Sequence, residues 1–131
     1  MIKSIDIGLV SADDAIVHFY RNVFDLEVLE PRVFPKITVY RLACASGVLK
    51  VAVPADRPQP PDRSGFMERA GLRYLTLWLD DLEETVKRWQ AHGGSVAMAP
   101  TEIRPGVRIA LLIDPDGNTV EAMCERAPAR E

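Results

Sequence analysis

The stretch that decides the fold is Tyr74-Leu75-Thr76-Leu77-Trp78-Leu79, an alternating strand pattern that leads into Asp81 and an amphipathic helical segment. The same pattern occurs earlier in the chain, where Asp6-Ile7-Gly8-Leu9-Val10 leads into Asp13, and both pairs of equivalent positions are 68 residues apart. Two copies of one supersecondary unit in a short chain predict a pseudo-symmetric fold. In such a fold we expect a binding site in the cleft between the copies.

Composition and length limit the class of protein further. A chain of 131 residues that is 47% hydrophobic is expected to form one compact domain with a core of its own. Its apolar runs fall short of the roughly 18 residues that span a bilayer, and its N-terminus lacks the pattern of a signal peptide. A net charge of −3 gives no reason to expect nucleic acid or a membrane as a partner.

The two cysteines indicate the compartment. Cys44 and Cys124 lie within apolar strand patterns and lack the spacing of a redox motif. Partly apolar surroundings and the absence of a pairing motif favour reduced thiols. We therefore expect a cytoplasmic protein.

The first module, about residues 1–54, is predicted to contain one helix and four strands. Asp13 or Asp14 offers an N-cap, and apolar residues at helical spacing follow it from Ile16 to Val23. The strands are predicted over residues 2–10, 26–29, 36–43 and 48–53. The sequence Ala45-Ser46-Gly47 predicts the hairpin turn before the last of them.

A linker over about residues 55–71 is rich in proline and charge and separates the two modules. Its apolar end, Gly65-Phe66-Met67, leaves two alternatives open: a flap over a cleft, or simple packing of the linker onto the body.

The second module, about residues 72–125, repeats the order of the first. Asp81 and Glu84 form a capping box at the start of its helix, and Gly93-Gly94 ends that helix. Strands are predicted over residues 95–99, 107–113 and 119–124. The order βαβββ occurs twice, which predicts an α+β fold.

Three motifs resemble one known family. Asp114-Pro-Asp-Gly-Asn118-Thr-Val-Glu121 resembles the DPDGN-x-(hydrophobic)-E signature of the vicinal oxygen chelate superfamily, which includes glyoxalase I, bleomycin-resistance proteins and extradiol dioxygenases. Residues 19–26 resemble its FYxxxLGL pattern, and residues 74–82 resemble the start of its second module. The resemblance implies two βαβββ modules that form a cupped, partly open mixed β-sheet with the helices outside. It also implies a homodimer.

The resemblance assigns four inward positions to metal ligands, and this chain departs from the family there. Its residues at those positions are Asp6, Lys50, Tyr74 and Glu121, where metal-dependent members have His, Gln or Glu. Glu121 matches and Asp6 is an acceptable oxygen ligand. A phenol ligates divalent metals poorly at neutral pH, and a protonated ammonium has no lone pair to offer. We therefore expect no cofactor. The alternative is one divalent ion (Zn, Ni, Fe or Mn) held by Glu121 and Asp6.

The same positions suggest chemistry that needs no metal. We expect Lys50 to receive an anionic or carbonyl oxygen of a ligand while Glu121 holds or deprotonates it, with Tyr74 as a third catalytic candidate. The alternative is a salt-bridge cluster that spans the modules. Six further residues are predicted to line the ligand site: Asp6, Thr76, Trp78, Thr119, Met123 and Arg108.

Three functions therefore stay open. The first is a glyoxalase/bleomycin-resistance-like protein that binds a small molecule in the cleft without an intact metal site. The second is a divalent-metal-dependent lyase, isomerase or dioxygenase that uses Glu121 and Asp6. The third is a metal-free enzyme that uses Lys50, Tyr74 and Glu121. Metal content separates the second from the others, and turnover separates the first from the third.

Overall fold

The computed structural model describes residues 1–126. The chain divides into two compact units, Met1–Pro60 and a second unit that begins at Pro61. Each unit has the element order βαβββ, so the predicted α+β class and the predicted duplication are confirmed. Both helices are only ten residues long, and within residues 1–126 no helix has the length and hydrophobicity to cross a membrane.

The first unit is a mixed four-stranded sheet with one helix. Its elements are β1 (Ile7–Val10), α1 (Ala15–Phe24), β2 (Val28–Phe34), β3 (Ile37–Cys44) and β4 (Gly47–Pro54). The strand order is β1-β4-β3-β2, with β1 parallel to β4 and the other neighbours antiparallel. The first and last strands of the unit therefore lie side by side.

Two strand predictions in this unit need correction at their ends. The first strand begins at Ile7 and not at Ile2, because Asp6 uses its side chain, and not a strand ladder, to accept the Val48 backbone N–H at 3.0 Å. The second strand is longer than the predicted 26–29 and passes through Pro31. Pairing with β3 shifts between Leu29 and Arg32, which fits the rule that proline in a sheet lies on an edge strand or at an irregularity.

The apolar stripe of α1 forms the core of the first unit. Asp13 Oδ1 accepts the Ala15 backbone N–H at 2.9 Å at the start of the helix. The left-handed Asp25 follows its end, with φ of 53°. The helix buries five residues, in agreement with the predicted spacing: Ile16, Val17, Phe19, Tyr20 and Val23.

The second unit has the same topology. Its elements are β5 (Tyr74–Trp78), α2 (Leu82–Ala91), β6 (Ser95–Arg104), β7 (Val107–Ile113) and β8 (Thr119–Glu125). The strand order is β5-β8-β7-β6. As in the first unit, the first strand pairs in parallel with the last one.

The capping and packing of α2 follow from the sequence. The Asp81 carboxylate accepts the Glu84 backbone N–H at 3.0 Å, which confirms the predicted N-terminal cap. Trp89 is fully buried, and its indole N–H reaches the carbonyls of Ser95 and Ile113 at 3.0 and 3.1 Å. A methyl group on Gly94 would overlap this indole ring. Glycine at this position therefore lets the chain after α2 pass close to Trp89.

Both cysteines are free thiols with partial burial. Burial raises the pKa of the Cys44 thiol. The Cys124 thiol donates to the Asp80 carbonyl at 3.4 Å.

Candidate functional site

The turn between β7 and β8 is organised by the buried carboxylate of Asp114, which is only 2% exposed. Asp114 Oδ1 accepts the backbone N–H groups of Asp116 and Asn118 at 3.0 and 2.9 Å. Asn118 Nδ2 donates to Asp114 Oδ2 at 2.9 Å, and Gly117 takes a φ of 94° that favours glycine. The DPDGN sequence thus forms a turn that is stabilised by hydrogen bonds among its own residues, and this turn determines where β8 begins.

Strand alternation divides β8 into two chemically distinct faces. Val120 and Ala122 are fully buried on the side that packs under α2. Thr119, Glu121 and Met123 point to the other side, because successive side chains of a strand alternate. We call this second side of the β5-β8-β7-β6 sheet the site face.

The first strand of the unit adds aromatic and hydroxyl groups to the site face. Thr76 pairs with Glu121 across β5 and β8, and its hydroxyl donates to Glu121 Oε1 at 2.7 Å. Tyr74 and Trp78 flank Thr76 and are 53% and 55% exposed. Five of the predicted site residues thus lie together on one face: Tyr74, Thr76, Trp78, Thr119 and Glu121.

A loop over residues 62–66 lies against the same unit and is held by Arg73. The Arg73 guanidinium donates to Ser64 Oγ at 3.0 Å and to Asp62 Oδ2 at 3.2 Å. Its Nε reaches the Phe66 carbonyl at 3.3 Å. Phe66 in turn meets the Tyr74 ring edge-on, with 5.6 Å between ring centroids. Arg73 therefore sets the position of Phe66 beside the site face.

Electrostatics stabilise the charged form of this loop. Hydrogen bonds from Ser64, from its backbone N–H first of all, and then from Arg73 hold the pKa of the Asp62 carboxyl well below its usual range. Arg69 adds a second cation at 3.4 Å. Asp62 is therefore ionised at any ordinary pH, and the Arg73 contact persists with it.

A pocket of about 230 Å³ lies between the 62–66 loop and the sheet. Apolar groups supply most of its lining, with Arg63, Ser64 and Thr119 as its polar residues. A neighbouring pocket of about 260 Å³ shares Ser64, Gly117 and Thr119 with it. The first pocket is lined by Arg63, Ser64, Gly65, Phe66, Ala97, Leu111, Ile113, Gly117 and Thr119. The apolar end of the linker was expected either to cover a cleft or to pack onto the body. In the structure Phe66 packs against its own unit, where it lines this pocket.

Two other predicted site residues of the second unit are occupied by packing or by an ion pair. Met123 is on the site face but is buried with Val107 and Ile109 in a small apolar cluster. Arg108 pairs with Cys124 on the other side of the sheet and makes an ion pair with Glu83 of α2. Hydrogen bonding to Arg108 lowers the pKa of Glu83. Arg108 therefore ties strand to helix and is not brought together with Glu121.

The first unit holds the remaining two predicted residues, which are bonded to each other. Lys50 Nζ lies 3.4 Å from Asp6 Oδ2, and the side chains of Lys50 and Asp6 are 45% and 36% exposed. Arg41 stands directly opposite Lys50 on β3 and donates to the Glu30 carbonyl at 3.2 Å. Two cations therefore lie side by side with one carboxylate, which leaves this patch with a net positive charge.

The donor set does not fit the metal site that the sequence comparison implies. Within residues 1–126, no three His, Cys, Asp or Glu side chains gather closely enough to hold a metal ion. Divalent metals in proteins usually need three or more protein ligands. Asp6 is engaged by an ammonium, and Glu121 shares its carboxylate with a threonine hydroxyl. The residues present are those of a polar face with an adjoining apolar pocket.

Four residues that lie at the pocket or at the positive patch were not predicted from the sequence as site residues: Arg41, Arg63, Phe66 and Arg73. The signal for Arg41 was its inward parity on a strand that pairs with the strand of Lys50. For the loop residues the signal was weak, because a proline-rich segment has no periodicity from which contacts follow.

A model of the Glyoxalase/Bleomycin resistance protein/Dioxygenase superfamily matches residues 9–122, which covers most of the chain. The match spans most of both modules and includes the Asp114 turn. The chain belongs to this superfamily. No curated protein matches the chain.

Solved structures agree with this assignment at the level of the fold. The glyoxalase family protein from Enterococcus faecalis is 23% identical, with 94% of this chain and 96% of that chain covered and a TM-score of 0.70. The glyoxalase family protein from Bacillus cereus is 12% identical, with 97% and 96% covered and a TM-score of 0.83. The trypanothione-dependent glyoxalase I of Leishmania major is 20% identical, with 95% and 88% covered and a TM-score of 0.72.

Proposed function

We propose that this protein binds a small organic molecule, anionic or carbonyl-bearing, on the site face of its second unit and does so without the metal of its family. The single observation that carries the proposal is the pocket of about 230 Å³ beside Thr119, on the face that also presents Glu121. Pockets for small ligands combine an apolar lining with a few placed polar groups, and this one has that composition.

The aromatic residues supply a surface for the body of the ligand. Tyr74 and Trp78 each expose about half of their area, although aromatic side chains of this size gain much from burial. A flat or apolar ligand resting on them would remove that area from water. The hydroxyls of Thr76 and Thr119 add hydrogen-bonding capacity at its edge.

Glu121 is the group on this face that can bind a hydrogen-bond donor of a ligand or accept a proton from it. The Thr76 hydroxyl holds Oε1, which fixes the carboxylate orientation and leaves Oε2 for a ligand. A carboxylate so placed accepts a hydroxyl or amide N–H of a ligand, and it serves as a general base where the ligand carries an acidic proton. Whether binding leads to turnover decides between the binding protein and the metal-free enzyme.

The first unit offers a second, positive patch. Lys50 pairs with the Asp6 carboxylate, and Arg41, which stands opposite Lys50, donates to a backbone carbonyl, so an anionic oxygen is favoured there. Lys50 keeps its proposed role as a receiver of ligand charge, with Asp6 as the group that an incoming anion displaces.

A metal-dependent lyase, isomerase or dioxygenase is the second candidate. It is favoured by Glu121, which stands at the closing acidic position of the family signature. Elemental analysis of untagged protein, before and after incubation with Zn, Ni, Fe or Mn salts and desalting, separates the two. Near-stoichiometric metal would overturn the metal-free proposal, and a Glu121→Gln variant would then lose that metal.

Binding itself is tested through tryptophan emission. The chain has two tryptophans, and Trp89 is fully buried under α2, so a ligand on the site face changes the emission of Trp78. A set of small carbonyl compounds and carboxylic acids is titrated into wild-type protein and into Trp78→Phe, Glu121→Gln and Lys87→Gln variants. Lys87, an exposed residue of α2, serves as the control. Saturable changes that Trp78→Phe abolishes and Glu121→Gln weakens support the proposal. A uniformly flat response across the set refutes it.

A further inference from the structure

The arginines of the second unit differ in whether a carboxylate neutralises their charge. Arg73 and Arg69 share Asp62, and Arg108 is paired with Glu83. Arg63 lines the apolar pocket and has no carboxylate partner among the described residues. Its charge is the one that this pocket leaves uncompensated.

One hydrogen bond and one close contact nevertheless orient the Arg63 side chain, although it is exposed. Its Nη2 donates to the Pro115 carbonyl at 3.1 Å, and its side chain lies across Gly117, where an added methyl group would come within 3.1 Å of Cγ and 3.2 Å of Nη1. Glycine at position 117 thus makes room for the arginine. The Asp114 hydrogen bonds hold the turn, and the turn holds the guanidinium.

The rest of the pocket determines what else a ligand must contain. Phe66, Leu111 and Ile113 give it apolar walls, and Thr119 and Ser64 each give it a hydroxyl, of which that of Ser64 accepts from Arg73. Thr119 is 7% exposed and Arg63 is solvent-exposed, so the pocket is shielded from water at Thr119 and open to it at Arg63. A guanidinium has five N–H donors, and the Pro115 carbonyl takes one of them. The others suit the two oxygens of a carboxylate, which arginine binds in a bidentate manner.

We propose that this pocket is a subsite for an organic carboxylate, in which Arg63 binds the carboxylate and Phe66, Leu111 and Ile113 enclose an apolar body. The inference rests on the proposed function and narrows it: the ligand class is a monocarboxylate with an apolar or aromatic group, and Arg63 is the residue that determines this specificity. Arg73 acts indirectly, since it positions the loop that carries Arg63 and Phe66.

The experiment compares two probes that differ only in charge, 3-phenylpropanoate and its neutral amide, 3-phenylpropanamide. Their dissociation constants are measured by isothermal titration calorimetry with wild-type protein and with Arg63→Gln. We expect wild type to prefer the acid and Arg63→Gln to weaken acid binding by about tenfold while leaving amide binding nearly unchanged, since only the acid loses its charge-assisted hydrogen bonds. Arg63→Lys keeps the charge but loses the bidentate contact, and it should fall between the two.

Controls separate recognition from general charge and from folding. Arg57→Gln removes the same charge from an exposed residue of the first unit and should leave both constants unchanged. Thermal unfolding of Arg63→Gln shows whether the variant is folded, and the retained amide affinity serves the same purpose.

The outcomes distinguish this inference from the proposed function. If acid and amide bind equally, or if Arg63→Gln keeps the preference for the acid, the carboxylate subsite is overturned while small-molecule binding stands. If neither probe binds wild type at millimolar concentration, the subsite is also overturned. The tryptophan titration, which includes neutral carbonyl compounds, then decides independently whether the site face binds any ligand.

Discussion

Replacing Asp114 by alanine tests the claim that one buried carboxylate builds the turn on which the site depends. The substitution removes the acceptor of two backbone N–H groups, those of Asp116 and Asn118, and of the Asn118 amide. The methyl group that replaces the carboxylate accepts no hydrogen bond. The carboxylate site is 2% exposed, so water restores these bonds only if the turn opens.

The expected magnitude follows from those bonds. A donor left unsatisfied in a buried position costs about 1–3 kcal/mol, and the two backbone donors together give a loss of roughly 3 kcal/mol in the free energy of unfolding. Single domains are stable by only about 5–15 kcal/mol, so the variant should still fold but with a large loss of stability.

Urea denaturation followed by circular dichroism measures this loss, because the midpoint shifts while the slope m stays constant for a two-state change in stability. Asp56→Ala, at an exposed position of the first unit, is the matched control and should lie within 0.5 kcal/mol of wild type, the usual range for surface substitutions. An Asp114→Ala protein as stable as that control would show that the turn does not depend on the carboxylate, and the reasoning would be wrong.

Three further outcomes are expected. Gly94→Ala forces a methyl group into the buried Trp89 indole and should cost about 1–3 kcal/mol, the usual effect of overpacking, measured by urea denaturation; a loss below 0.5 kcal/mol would contradict the packing. Asp62→Asn should be less stable than wild type at pH 7. The folded protein lowers the pKa of Asp62, so the ionised carboxylate stabilises the fold above the ordinary aspartate pKa of about 4, and this stabilisation is lost as the pH falls below it. The difference between the two proteins should therefore shrink in acid, and a difference independent of pH would refute this. Lys50→Met should weaken binding of an anionic ligand found in the titration more than binding of a neutral one, and equal losses for the two ligands would show that the positive patch of the first unit receives no ligand charge.

The fold was predictable because its signals are local and periodic. The alternation of β5, the Asp81 cap and the Asp114 turn each follow from side-chain chemistry within a few residues. Strand parity also placed Thr76, Thr119 and Glu121 on one face. Errors arose where tertiary contact overrides a local pattern, as at the start of β1, where the Asp6 side chain takes the place of a strand ladder.

The candidate site was less predictable because its partners come from distant parts of the chain. The ion pair of Arg108 with Glu83 joins residues 25 positions apart, and the bond of Arg63 with the Pro115 carbonyl spans 52. No local pattern encodes such distances. The loop that carries Arg63 lies in a proline-rich segment. Its prolines predict that the segment is neither helix nor strand, but they do not predict its contacts.

The alternation of β8 has an evolutionary consequence. Val120 and Ala122 are fully buried, so substitutions there affect the stability of the fold. Glu121 lies between them and faces the opposite side, so substitutions of Glu121 affect the contacts on the site face. One strand thus separates two selective pressures residue by residue. The first unit has the same arrangement, where the buried Leu49 and Val51 flank Lys50. A duplicated architecture of this kind can carry an ammonium in one copy and a carboxylate at the corresponding position of the other without a change in its buried interior.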